Sequence, residues 1–113
     1  MKIAIVGSRN LKIDSISEYI PNECDEIVTG GAHGIDTCAV EYAERHGVPL
    51  TLFHPDYKRY GRGAQIVRNR EIIERADCVV AIWDGKSRGT KNVIDECRKK
   101  GIKVKVFLIN KEE

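Results

Sequence analysis

Thr29-Gly30-Gly31-Ala32-His33-Gly34-Ile35-Asp36 is the stretch on which the fold turns. It follows the short apolar run Glu26-Ile27-Val28 and leads into Ile35–Arg45, which reads as an amphipathic helix. A strand, a glycine-rich turn and a helix start in that order make a backbone site for an anion. Glycines let the main chain approach a ligand with no Cβ in the way. The first amides of a helix lack internal partners and carry the positive end of its dipole. A phosphate is the natural guest of such a turn.

Outward from this unit, strand-length apolar runs recur at Lys2–Val6, Leu50–Phe53, Cys78–Ile82 and Lys103–Leu108. Helical patterns fall between them. Ile13, Ile16 and Ile20 suggest one helix, closed by Pro21. Cys38, Ala39, Tyr42, Ala43 and His46 form a second stripe, ended by Gly47 and Pro49. Ile66, Ile73 and Ala76 mark a third, and Val93, Ile94 and Cys97 a fourth ended by Gly101. Strict βα alternation predicts one Rossmann-like α/β domain spanning residues 1–113. Its parallel five-stranded sheet has the expected order 3-2-1-4-5, with helices on both faces. The connection His54–Gly63 is long for such a loop, a common property of functional or mobile segments.

Composition narrows the function classes. At 113 residues the chain has room for one core. No stretch approaches the roughly 20 apolar residues of a membrane span, and the first residues read as a strand, so a cytoplasmic location is expected. Cys24, Cys38, Cys78 and Cys97 are widely spaced and read as reduced thiols. Neither they nor His33, His46 and His54 have zinc-ligand spacing; no metal and no separate cofactor are expected. A net charge of +2 is too small to argue for nucleic acid, and 6% aromatic content is low for a strand-binding surface. The cations are clustered, however: Lys58 to Arg70, then Lys86, Arg88 and Lys91, then Arg98 to Lys105. The first two clusters flank glycine turns; the third reads as solvated surface.

In the expected sheet the loops after the strands share one edge, and ligands bind where strand order reverses, between the first and fourth strands. Gly7-Ser8-Arg9 follows the first strand and offers a tight turn, a hydroxyl and a guanidinium fork suited to phosphate. Beside it lie Gly30, Gly31, Ala32, His33, Gly34 and Asp36. After the fourth strand come Asp84, Gly85, Ser87, Arg88, Gly89 and Thr90, with Ser87 or Thr90 also suited to capping the following helix. Trp83 is either a packing residue or a stacking surface for a base. Asp36 either caps its helix or orients a ribose hydroxyl, and His33 is either an acid/base group or a loop residue. His54 and Asp56 follow the third strand on the same edge. On the third helix the stripe through Ile66, Ile73 and Ala76 places Asn69 and Arg70 inward and Arg68 outward. An inward guanidinium needs a carboxylate such as Asp36 or Asp84, or an anionic ligand.

Two familiar sites are absent. There is no G-x-x-x-x-G-K-[ST] phosphate loop and no G-x-G-x-x-G dinucleotide fingerprint.

Together, Gly7-Ser8-Arg9, Gly30-Gly31-Ala32-His33-Gly34-Ile35-Asp36, Arg68-Asn69-Arg70-Glu71 and Ser87-Arg88-Gly89-Thr90 resemble the SLOG superfamily. That group joins DprA (Smf) with the Lonely-guy (LOG) proteins, and the match is to its small stand-alone YspA-like branch. The resemblance runs from Met1 to about Phe107. It implies a Rossmann-like domain binding a nucleotide or nucleotide-derived ligand at these loops, as a sensor or an enzyme of unassigned chemistry. DprA-like proteins bind single-stranded DNA at the matching motifs, which keeps a nucleic-acid partner open, and relatives often pair as homo-oligomers. LOG enzymes use a third-helix arginine and a later glutamate to hydrolyse a nucleoside monophosphate at its N-glycosidic bond. Arg68 or Arg70 matches the arginine, but Val93 stands where the glutamate is expected. The candidate catalytic residues are therefore Arg70, Arg68, Asp84 and His33, none with an assigned role.

Overall fold

A computed structural model describes residues 1–109 of the chain; residues 110–113 of the expected domain lie outside the described residues. The chain runs β1 (Lys2–Gly7), β2 (Glu26–Thr29), α1 (Ile35–His46), β3 (Leu50–Leu52), α2 (Tyr57–Tyr60), α3 (Ala64–Arg75), β4 (Cys78–Trp83), α4 (Arg88–Lys100) and β5 (Val104–Leu108). All five strands are parallel, in the order β3-β2-β1-β4-β5. This is the expected Rossmann-like α/β sheet.

The central strands read as continuous apolar runs because both faces of the sheet are covered. Ile3 and Ile5 of β1, with Cys78, Val80 and Ile82 of β4, face the core under α1. Ala4 and Val6, with Val79 and Ala81, face the core under α3 and α4. The two-residue period of the strands sorts neighbours into opposite cores. Each fully buried isoleucine contributes about 1.5–3 kcal/mol relative to exposure.

Two expectations about helices need correction. The stripe Ile13, Ile16 and Ile20 does not build an α-helix; the segment forms a single 3₁₀ turn at Ile16–Tyr19. Ile16 and Ile20 are still buried against α1, so the apolar spacing reports burial without reporting helix. The third helix is rotated from its expected setting. Its buried residues are Ala64, Arg68, Asn69, Ile72 and Ile73, and Ile66 is 45% exposed. Arg68 is therefore inside and Arg70 outside, the reverse of the expected arrangement. Anchoring the stripe on one exposed isoleucine turned the helix the wrong way.

The four cysteines are free thiols, three of them buried, and burial pushes the Cys97 thiol up to about 11. No described helix is long and apolar enough to cross a membrane. Arg98, Lys99 and Lys100 occupy the last turn of α4, where cations complement the helix dipole.

Candidate functional site

The reversal of strand order between β1 and β4 leaves a cleft at the carboxyl ends of the strands. An open cavity of about 260 Å³ lies there. Val6, Ile72 and Val93 supply its apolar wall, Asp36, Gln65, Arg68 and Asn69 its polar interior, and Arg9, Arg88, Gly89 and Thr90 its other side.

The glycine segment before α1 is occupied from within. Asp36, in the first turn of α1, reaches back so that its Oδ2 accepts the Ala32 N–H at 3.1 Å. Burial raises the Asp36 pKa, opposed by that hydrogen bond, the Arg68 charge, Thr29 and the Gly30 amide. The Ile35 N–H donates to the Ser8 carbonyl at 3.4 Å. Gly34, at φ 78°, packs so tightly that a Cβ there would stand 2.5 Å from both the Ser8 and the Arg9 carbonyl oxygens. Over Gly30 lies the Arg68 guanidinium, in the space a side chain would need. Arg68 Nη1 donates to the Gly30 carbonyl at 3.0 Å, and Nε donates to Asn69 Oδ1 at 3.0 Å. The anion in this cradle is the chain's own carboxylate.

Arg68 is 8% exposed, yet it lines the cavity. Its Nη2 has no protein acceptor among the described residues, and no side-chain nitrogen or oxygen is both sealed off and unpartnered there. Burial holds the Arg68 pKa below its ordinary value, Arg9 adds to this, and Asp36 and Tyr57 oppose it. Asn69 is fixed in turn by donating to Asn92 Oδ1 at 3.1 Å. The buried guanidinium thus points one donor edge at the cavity.

The start of α4 is built differently. Asp84 Oδ1 accepts the Lys86 and Ser87 N–H groups, each at 2.8 Å, and the Ser87 hydroxyl at 3.1 Å. Those bonds lie upstream of the helix. Ser87 is the N-cap without a side-chain capping bond, and the first turn holds no acidic residue. Lys91 N–H opens the helical ladder by donating to the Ser87 carbonyl, while the Arg88, Gly89 and Thr90 amides have no partner among the described residues. A Cβ on Gly89 would meet nothing within 4 Å. Free amides, the dipole and Arg88 all face one cavity, which Arg9 and Arg68 also line.

Of the residues singled out from sequence, Gly7, Arg9, Ala32, Asp36, Arg68, Asn69, Ser87, Arg88, Gly89 and Thr90 line the cavity. Ser8 lies behind it: its buried hydroxyl accepts the Asp84 N–H at 3.0 Å and ties the β1 and β4 turns together. Gly30, Gly31, Gly34 and Gly85 shape turns around it without lining it. His33 and Arg70 are exposed and stand outside its lining, so the inward placement of Arg70 is corrected to Arg68. Asp84 is also outside. Burial would raise its pKa, but the bonds from Lys86, Ser87 and Ser8 outweigh this and hold its carboxyl well below the usual range. Trp83 donates from Nε1 to the Ser87 carbonyl at 3.0 Å and packs on the core, which settles it as a packing residue. Gln65 was not legible as a lining residue, because the misplaced stripe put its neighbour Ile66 inward.

A model of the YspA, cpYpsA-related SLOG family matches residues 1–60, more than half of the chain. The chain belongs to the SLOG superfamily. The match covers β1, the glycine segment, α1 and the start of the long connection, and the family points to a nucleotide-related ligand. The Gene 61 protein of Mycobacterium phage D29 is 34% identical over 84 residues, covering 69% of this chain and 67% of that protein. The tRNA modification GTPase MnmE of Lactobacillus acidophilus is 30% identical over 97% of this chain, which spans only 25% of that protein. No solved structure matches the chain.

Proposed function

We propose that this SLOG domain binds a nucleotide or nucleotide-derived ligand in the β1/β4 cavity, its phosphate seated on the open start of α4. The observation that carries the reading is the buried Arg68, whose free guanidinium edge faces the same cavity as the unpartnered Arg88–Thr90 amides. The exposed Arg88 and Arg9 add positive charge to the lining. Asp36, beside Arg68 at the Gly30 turn, accepts from sugar hydroxyls. A volume of about 260 Å³ suits a mononucleotide-sized group better than a dinucleotide.

The hydrolase alternative has less support. Val93 stands in the cavity wall where LOG-like enzymes carry a glutamate, and the Asp84 carboxylate is committed to backbone donors outside the cavity. Binding alone accounts for the groups present. Calorimetric titration of the full chain with AMP, ADP-ribose and ribose 5-phosphate at two salt concentrations tests this. Saturable, one-site binding of at least one of them, weakened at high salt, is expected. Absence of binding by all three, or steady release of base from AMP at enzyme-like rates, overturns the reading.

A further inference from the structure

Two tyrosines, Tyr57 and Tyr60, stand exposed on α2, in the long connection that closes over the start of α3. A single exposed ring is ordinary, so what matters is whether each has a partner. Tyr60 has one within the protein: the Arg59 guanidinium lies over its ring, 5.2 Å from the centroid. Tyr57 is 54% exposed, and its ring has no partner among the described residues.

Tyr57 is nonetheless anchored to the cavity by two links. Its hydroxyl accepts from Gln65 Nε2 at 2.8 Å, and Gln65 lines the cavity. It is also close enough to Arg68 to influence that guanidinium electrostatically. The short helix is itself fixed, because Asp56 Oδ1 accepts the Arg59 N–H at 3.1 Å. An unpartnered ring is therefore held in place at the edge of a cavity whose interior is polar. The Gln65 side chain keeps its amide oxygen and a second N–H for a further partner.

We infer that Tyr57 is the stacking platform for the base of the ligand and that Gln65 hydrogen-bonds the edge of that base. The inference rests on the nucleotide reading above and adds the part of the ligand that a phosphate site cannot specify. Flat heteroaromatic groups gain from such a ring whatever their sequence identity, whereas an amide edge distinguishes one base from another.

The test compares AMP with ribose 5-phosphate, which has the phosphate and sugar without the base. On the wild-type chain AMP binds more tightly. Tyr57→Ala weakens AMP on the order of 10-fold and leaves ribose 5-phosphate unchanged. Tyr57→Phe keeps the ring and loses only the Gln65 tether, so most AMP affinity remains; Tyr57→Trp matches or exceeds wild type. The exposed ring can be changed with the fold intact, which circular dichroism and melting check. Equal binding of AMP and ribose 5-phosphate by the wild type overturns the stacking role while leaving the phosphate site standing. So does an equal loss of both ligands in Tyr57→Ala. If neither compound binds, the nucleotide reading itself fails and this inference with it. Salt-sensitive binding of oligo-dT that depends on Tyr57, without AMP binding, would assign the ring to a nucleic-acid strand and overturn the mononucleotide assignment.

Discussion

Two helix starts flank the cavity, and they solve the same electrostatic problem in opposite ways. Both α1 and α4 follow a glycine-bearing turn after a parallel strand, so both present free amides and the positive end of a dipole. At α1 the protein supplies the anion: Asp36 folds back onto Ala32, the Ser8 carbonyl takes the Ile35 amide, and Arg68 fills the space over Gly30. At α4 the first turn carries Arg88 and no acidic residue, and even its first amide stays open, whereas at α1 the Ile35 amide is taken. A glycine-rich helix start is therefore not evidence for an external ligand by itself. The sign of the charge in the first turn discriminates between a site filled from within and one left for a guest.

The largest test concerns the filled start. Gly34 has a φ that side chains rarely adopt, and a methyl group would meet two backbone oxygens that cannot swing away. Gly34→Ala is expected to destabilise the domain by about 2–4 kcal/mol, measured by urea denaturation. A loss under 1 kcal/mol would mean that the contact between the two turns is looser than the comparison requires.

The carboxylates at the two starts sharpen the contrast through pH. Asp84 is held below its ordinary value of 3.8, so its stabilising contribution is present above that value and is lost as pH falls toward the folded pKa. Asp36 is shifted upward from 3.8, so its contribution is complete below that value and is lost as pH rises through the folded pKa. Asp84→Asn should cost about 1 kcal/mol at neutral pH, in the range of a lost helix cap, and the gap to wild type should narrow on acidification. With Asp36→Asn the trend reverses, and the wild type gains on the variant as pH drops through the raised folded pKa toward 3.8. Parallel trends for the two variants would break the distinction between them.

At the open start the expected effects fall on binding. Arg88 is exposed, so Arg88→Ala should leave stability within about 0.5 kcal/mol of wild type. AMP binding should weaken about 10-fold, equivalent to about 1.4 kcal/mol, with a smaller salt dependence. Arg70→Ala, on the outer face of α3, should change neither quantity. If Arg70→Ala weakens binding and Arg88→Ala does not, the phosphate is seated elsewhere.

Much of this arrangement is legible in the sequence. The runs Lys2–Val6 and Cys78–Ile82 are apolar on both strand faces, which is only stable between two layers, so the central strands and their order could be read. The turns Gly7-Ser8-Arg9 and Ser87-Arg88-Gly89-Thr90 were placed correctly along one edge. The interior of the site was harder. Periodicity registers hydrophobic residues, and the decisive residue on α3 is a buried arginine whose cost is offset by its neighbour Asn69 and by two carbonyls, Gly30 and Phe53, from other parts of the chain. Nothing local marks Arg68 over Arg70. The structural role of Ser8 was hidden for a similar reason: its hydroxyl accepts the Asp84 amide, a partner 76 residues away. Long-range polar pairing was the illegible part.

The smallest effect is also the most selective. Gly34 and Gly89 are both glycines at helix starts, but a Cβ on Gly89 would enter open space, and nothing in the fold requires its absence. A glycine inside a helix lowers its stability by up to about 1 kcal/mol relative to alanine, so Gly89→Ala should be neutral or slightly stabilising. If the open amides are where the phosphate sits, the added methyl stands between the ligand and the backbone, and AMP affinity should fall about 3-fold. Denaturation and calorimetry on the same variant would then move in opposite directions. A variant that is more stable and binds as well as wild type would show that the small residue serves neither fold nor ligand, and would remove the backbone of α4 from the site while leaving Arg68 and Arg88 in it.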